Sequence, residues 1–220
     1  MLRAAVWLFW KDLSLELRGR ELLLPAAIFG LIIAMLYGFA FDGGQQVLRP
    51  MFPGLLWLGI FFSSFLAVGR AFGVEAEAGQ QLLMAPIDRG AIFLSKLALN
   101  ILLTLVLTAV LTPAFSLLLG VALPHATWLF LWTLVLGVVG FAAAGSAMGA
   151  LTVQTRLREL LLPALLLPFT SPLLLGAVNA TNALYGKNPS QLGSWLWLMA
   201  AFDGIFTLVP LLLFEYLTEV

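Results

Sequence analysis

The chain contains no cysteine. A disulfide, a thiolate metal site, a thioether-linked cofactor and thiol redox chemistry are therefore all excluded. Charge is almost as scarce: 10% of the 220 residues are charged and 62% are hydrophobic, where soluble proteins carry about 25% charge. That leaves too little polar surface for a water-soluble globule of this size. Eleven basic and eleven acidic residues cancel, and no basic stripe with interleaved aromatics lies outside the membrane flanks, which argues against nucleic acid as a partner. Histidine occurs once, at His125. The chain has no Gly-x-x-x-x-Gly-Lys-Ser/Thr phosphate loop, no Rossmann glycine pattern and no polar segment large enough to hold a nucleotide. We expect a protein that is not an enzyme, with any ATP hydrolysis supplied by another polypeptide.

What the chain does have is long uncharged runs. They cover residues 22–41, 50–69, 97–155 and 160–186, with 188–214 interrupted only by Asp203. A bilayer core takes roughly 20 apolar residues per helix, so the longest run must be two helices turning at Leu123-Pro124-His125. The expected fold class is all-α: a polytopic membrane protein of the ABC exporter permease type, with six transmembrane helices near 22–41, 53–71, 97–119, 128–151, 160–178 and 195–215. The segment 1–21 forms an N-terminal interfacial amphipathic helix, and 22–220 forms one permease domain with a coupling loop at 70–96. The first residues lack the pattern of a cleaved signal peptide, so the first span is expected to be retained.

Orientation follows from basic residues. Arg3, Lys11, Arg18, Arg20, Arg70, Arg89, Lys96, Arg156 and Arg158 fall on the side of the termini; only Arg49 and Lys187 fall on the other. The positive-inside rule then puts both termini in the cytoplasm. Residues 2–20 place Leu2, Val6, Phe9, Trp10, Leu13 and Leu17 on one helical face, with Arg3, Lys11, Asp12, Glu16 and Arg18 mostly on the other. Such a helix lies along the inner leaflet, as an anchor or as a lever into the first span.

Between spans two and three, Arg70, Glu75, Glu77, Gln80, Met84 and Pro86 form the candidate surface for docking an ATPase. Residues 74–84 are expected to make a short helix stopped by Pro86. Glu75 and Glu77 would act as charge partners and Met84 as an apolar contact. Within the membrane, Asp203 sits about eight residues into the last span, roughly 12 Å deep. It is expected to face protein and to hydrogen-bond a neighbouring helix or the Gly204 backbone, with a transport role as the alternative. Pro163, Pro168 and Pro172 should kink or break the fifth span, and Gly137, Gly140, Ala144, Gly145 and Gly149 give the fourth a small-residue stripe for close helix packing. Its partner could be this chain, a second copy of it or another subunit. Ser146 in this glycine-rich stretch raises the reading of an intramembrane serine protease, but the required histidine is absent from the neighbouring spans.

Several fragments together resemble the CcmB family, haem exporter protein B, the permease of an ABC transporter in cytochrome c maturation. They are Lys11-Asp12-Leu13, Glu16-Leu-Arg18, Pro53-Gly54-Leu-Leu-Trp57, Ser63-Ser64, Arg70-Ala-Phe72, Leu83-Met84-Ala-Pro86, Lys96, Leu161-Leu-Pro163, Leu167-Pro168 and Ser171-Pro172. The resemblance implies a bacterial inner membrane, an ATPase partner CcmA, the membrane subunits CcmC and CcmD, and loading or release of the haem chaperone CcmE. It implies haem as a handled ligand but supplies no haem site. His125 is the one candidate haem ligand, set against its simpler reading as a polar turn residue. Trp128, Trp132, Trp195 and Trp197 read as an aromatic belt, so no cofactor is expected on this chain alone. Two other functions stay open: export of a lipid, glycan or drug by the same architecture, and a non-transporting scaffold that turns ATP-driven motion into chaperone release.

Overall fold

The computed structural model describes residues 2–19, 22–41, 44–82, 89–152 and 158–216, with the backbone path alone at 2, 44–46, 69–82, 89, 150–152, 158–163 and 213–216. Seven α-helices follow in order: α1 (Leu2–Gly19), α2 (Leu23–Ala40), α3 (Gly44–Leu82), α4 (Arg89–Leu119), α5 (Thr127–Thr152), α6 (Arg158–Leu184) and α7 (Leu192–Tyr216), with a 3-10 turn at Pro189–Gln191 before α7. Among the described residues there is no strand. Six helices are long and apolar enough to cross a membrane, over Leu23–Ala40, Val47–Val68, Gly90–Leu119, Thr127–Gly149, Ala164–Leu184 and Pro189–Leu212. A helix is the only open-chain element that satisfies its own backbone in lipid, so runs of this length and hydropathy are helical throughout.

In the bundle α3 and α5 are the most enclosed spans, and α2 and α7 the least enclosed. The core is organised around Trp57 of α3, which is fully buried. Its indole Nε1 donates to Thr181 Oγ1 of α6 at 2.9 Å, and the Thr181 hydroxyl donates in turn to Ala177 O at 2.8 Å. The ring fits only because α5 presents Gly137 to it: a Cβ there would collide with the indole. Gly59 makes the same allowance for Phe115 of α4. Gly145 faces Val68 of α3, and Gly140 faces Leu173 and Asp203. The α5 glycines that the structure resolves in contact therefore meet helices of this same chain.

Two expectations about helix boundaries change. The docking segment is not a separate short helix, since α3 continues without interruption from its span to Leu82. The stretch has no proline, and the good helix formers Glu75, Ala76, Glu77, Ala78, Gln80, Gln81 and Leu82 carry the helix past Gly79. Nor is the fifth span broken: α6 stays helical through Pro163, Pro168 and Pro172. Pro172 has no N–H to donate to Pro168 O, and the Ser171 hydroxyl donates to that carbonyl instead, at 2.8 Å. A serine beside the proline thus satisfies the acceptor that the ring leaves free. The side chains of Pro168 and Pro172 point outward.

The amphipathic α1 packs along α4 with Ala5 and Leu8 buried, while Val6, Trp7, Trp10 and Leu17 remain exposed. Asp12 and Glu16 do not belong to a solvated face, as their spacing suggested. Glu16 is buried and its carboxylate accepts the backbone N–H groups of Leu22 and Leu23, at 3.1 and 2.9 Å. An acid there satisfies orphan donors at the start of α2 and complements its dipole. Asp12 pairs with Lys96 of α4, with Lys11 more distant at 3.6 Å. Lys96, which the sequence placed at the end of a loop, lies two turns inside α4 and is buried.

Candidate functional site

On α4 the polar residues recur every fourth position: Lys96, Asn100, Thr104, Thr108 and Thr112. That spacing keeps neighbours on one side of a helix, each step rising about 6 Å. All five are at most 5% exposed. From Lys96 to Thr112 the ladder covers about 24 Å of helix axis, most of a hydrocarbon core of about 30 Å. Its first rung is tied to α1 through Asp12. Its second is tied to α5, where Asn100 Nδ2 donates to Ser146 Oγ at 2.9 Å.

The upper rungs differ. Thr133, Thr170 and Thr181 turn their hydroxyls back onto the carbonyl four residues earlier, at 2.7 to 2.9 Å. The hydroxyls of Thr104, Thr108 and Thr112 make no hydrogen bond to any described residue. Neither do those of Ser63 and Ser64 on α3, nor Asn100 Oδ1. Ser63 packs against Gly30 of α2, which also meets Leu111 of α4, so α2, α3 and α4 close together here. A buried hydroxyl without a partner costs about 1–3 kcal/mol. These unpartnered groups lie on the neighbouring helices α3 and α4. The sequence reading missed this ladder because it counted charges; polar residues recurring at four-residue intervals in an apolar helix were the available signal.

Asp203 is a second buried polar group, 8% exposed on α7. It faces protein, but neither carboxyl oxygen has a hydrogen-bond partner among the described residues, so the expected bond to a neighbouring helix or to Gly204 is not made. One oxygen of its carboxyl lies against Gly140, which offers no side chain, and close to the Leu173 methyl groups.

At the end of the bundle opposite the termini, two glycine caps build a cavity. Gly120, at φ 64°, ends α4 with Val121 N–H donating to Ser116 O at 3.1 Å; Gly186, at φ 88°, ends α6 with Lys187 N–H donating to Asn182 O at 3.1 Å. Both are Schellman closures that need a left-handed residue. The space between them, about 330 Å³, is lined by Arg49, Gly120, Val121, Ala122, Leu123, Pro124, His125, Leu184 and Tyr185. Tyr185 OH donates to Ala122 O at 2.8 Å. Burial pushes this phenol up to about 12, with Arg49 pulling the other way. His125 is exposed on the rim, and no second imidazole is available to it.

The other sequence candidates are not brought together. Arg70, Glu75, Glu77 and Gln80 ride on the α3 extension, while Met84 and Pro86 lie outside the described residues. Gly145 and Gly149 are buried in α5, and Pro163, Pro168 and Pro172 are spread along α6.

Comparison with known proteins supplies what geometry does not. The family described as CcmB protein matches residues 3–215. Heme exporter protein B of Pseudomonas aeruginosa is 29% identical over 195 residues, covering 88% of this chain and 86% of that protein. The Paracoccus denitrificans protein of the same name is 33% identical over 184 residues, 81% of this chain and 83% of its own length. Heme exporter protein B of Escherichia coli K12 is 31% identical over 214 residues, 92% and 94% of the two chains. A match of this extent, on a six-span helical bundle, shows that the chain belongs to the CcmB family.

Proposed function

We propose that this chain is the membrane permease subunit of an ATP-driven haem exporter in cytochrome c maturation. It is placed in the bacterial inner membrane with both termini in the cytoplasm, where its basic residues concentrate. The observation that carries the reading is the CcmB match over residues 3–215, shared with relatives named heme exporter protein B. Two features of the bundle agree with it. The backbone of α3 continues past its span from Val68 to Leu82, about 21 Å at 1.5 Å per residue, which gives an ATPase something to push. The α4 ladder gives the push a polar seam to open. The ATPase is CcmA; CcmC and CcmD are the membrane neighbours, and the haem chaperone CcmE is the acceptor whose loading or release the cycle drives. Haem is the handled ligand, and ATP is bound by the partner.

The test is a pull-down of the tagged chain from mild detergent, with ATPase activity compared between the wild type and a Glu75→Lys, Glu77→Lys variant. Recovery of CcmA, CcmC and CcmD, with activity lost in the variant, is the expected result. An unrelated ATPase would redirect the reading to another exporter, and no ATPase at all would end it.

A further inference from the structure

The cavity at the end opposite the termini is unused by this reading, and it is unusual in charge. Arg49 lines it, Lys187 donates to Pro50 O at 3.3 Å just beyond it, and His125 stands on its rim. Among the described residues no carboxylate lines the cavity or pairs with Arg49 or Lys187. The wall mixes polar surface with apolar side chains from Val121, Leu123 and Leu184, and its hydroxyl, on Tyr185, is held in place by Ala122 O. A volume of about 330 Å³ lies within the range of small-ligand pockets. A guanidinium with valine and leucine side chains beside it at a membrane boundary suits a phosphate or carboxylate attached to an apolar body.

We propose that this cavity binds the anionic headgroup of an amphiphile in the adjoining leaflet, with Arg49 as its charge partner. Arg49 supplies donors matched to a phosphate or carboxylate fork. The Tyr185 hydroxyl spends its proton on Ala122 O, which fixes the ring and narrows one side of the cavity. The site is separate from the α4 ladder and does not depend on what the permease exports.

The experiment is calorimetric titration of the purified full chain in maltoside detergent with four probes: dihexanoyl phosphatidic acid, decanoate, inorganic phosphate and decyltrimethylammonium. Saturable binding of the phosphatidic acid, the decanoate or both is expected, weakened about tenfold or more by Arg49→Gln and less by Arg49→Lys. Preference between those two probes assigns the headgroup to a phospholipid or to a carboxylate amphiphile. Arg18→Gln, on α1 at the other end, should leave binding unchanged. Inorganic phosphate binding as tightly as the amphiphiles would overturn the amphiphile assignment. Equal binding of the cation, or anion binding indifferent to both Arg49 variants, would overturn the site. Asp42 lies outside the described residues; a tenfold gain in anion affinity on Asp42→Asn would show that Arg49 already has a partner in the chain, and would also overturn it. None of these outcomes bears on which ATPase co-purifies, so this proposal and the functional one fail separately.

Discussion

Replacing Thr104, Thr108 and Thr112 together by valine tests the α4 ladder directly. Valine keeps the branched shape and nearly the volume of threonine, so the core packing around Leu107 and Leu111 is preserved while three hydroxyls disappear. Each of those hydroxyls is buried and makes no hydrogen bond to a described residue. If each costs about 1–3 kcal/mol, the triple variant should be more stable by about 3 kcal/mol or more. The direction matters more than the size, because neighbouring rungs are close enough for their effects not to add simply. Stability would be read from SDS-induced unfolding in detergent, followed by tryptophan fluorescence, and function from the yield of mature cytochrome c in cells whose own copy is deleted. The expectation is a rise in stability with a fall in yield: the penalty is kept because the seam must take up polar groups during the cycle. The absence of cysteine provides a second readout. Single cysteines at 104, 108 and 112 should react with a charged thiol reagent in the ATP-cycling complex, and a cysteine at Leu107 should react far less. A triple variant that is less stable than wild type would show the hydroxyls to be structural bonds. One with full cytochrome yield would remove the ladder from the transport path.

The remaining predictions concern single contacts. Gly137→Ala forces a methyl group into the Trp57 ring and should cost about 1–3 kcal/mol in the same unfolding assay, with a red-shifted tryptophan emission as the Trp57–Thr181 bond loosens. Lys96→Met leaves the half-buried Asp12 with the more distant Lys11 as its remaining partner among the described residues, and should cost up to about 3 kcal/mol; adding Asp12→Asn should recover part of that loss, and an equal or larger loss in the double variant would refute the pairing. Tyr185 ionises in the folded chain only near pH 12, above its ordinary value of 10.0. The folded state therefore holds a proton that the unfolded state releases, and its contribution, complete below pH 10, is lost as pH rises from 10 toward 12. Unfolding measured across that window should be less pH-dependent in Tyr185→Phe than in wild type.

Much of the fold is legible because lipid simplifies the problem. Residues 22–41 needed nothing but length and the absence of charge to be recognised as α2, since a helix is the one element that satisfies its backbone within a single segment in a bilayer. The same rule located the turn at Leu123-Pro124-His125, where Gly120 closes α4. Side-chain roles were less legible. The polar spacing of α1 suggested that Asp12 and Glu16 face water, because helical periodicity reports a face and not what packs on it. One is drawn to Lys96, 84 residues away, and the other caps the helix that follows. Three prolines suggested a kink or a break in α6, and the break does not occur; proline's missing donor is a local fact, whereas the bond from the Ser171 hydroxyl to Pro168 O depends on a rotamer.

The sequence by itself determined the class of the protein: six membrane spans, an amphipathic leading helix and no thiol chemistry, all from local composition and the cost of exposing a backbone to lipid. Tertiary structure alone decided what the buried polar groups do. Whether Thr108 bonds its own helix, whether Asp203 meets a partner and whether Arg49 and Tyr185 share a cavity depend on contacts between segments far apart in the chain. Hydropathy is a sum over neighbours in sequence; hydrogen-bond satisfaction is a sum over neighbours in space.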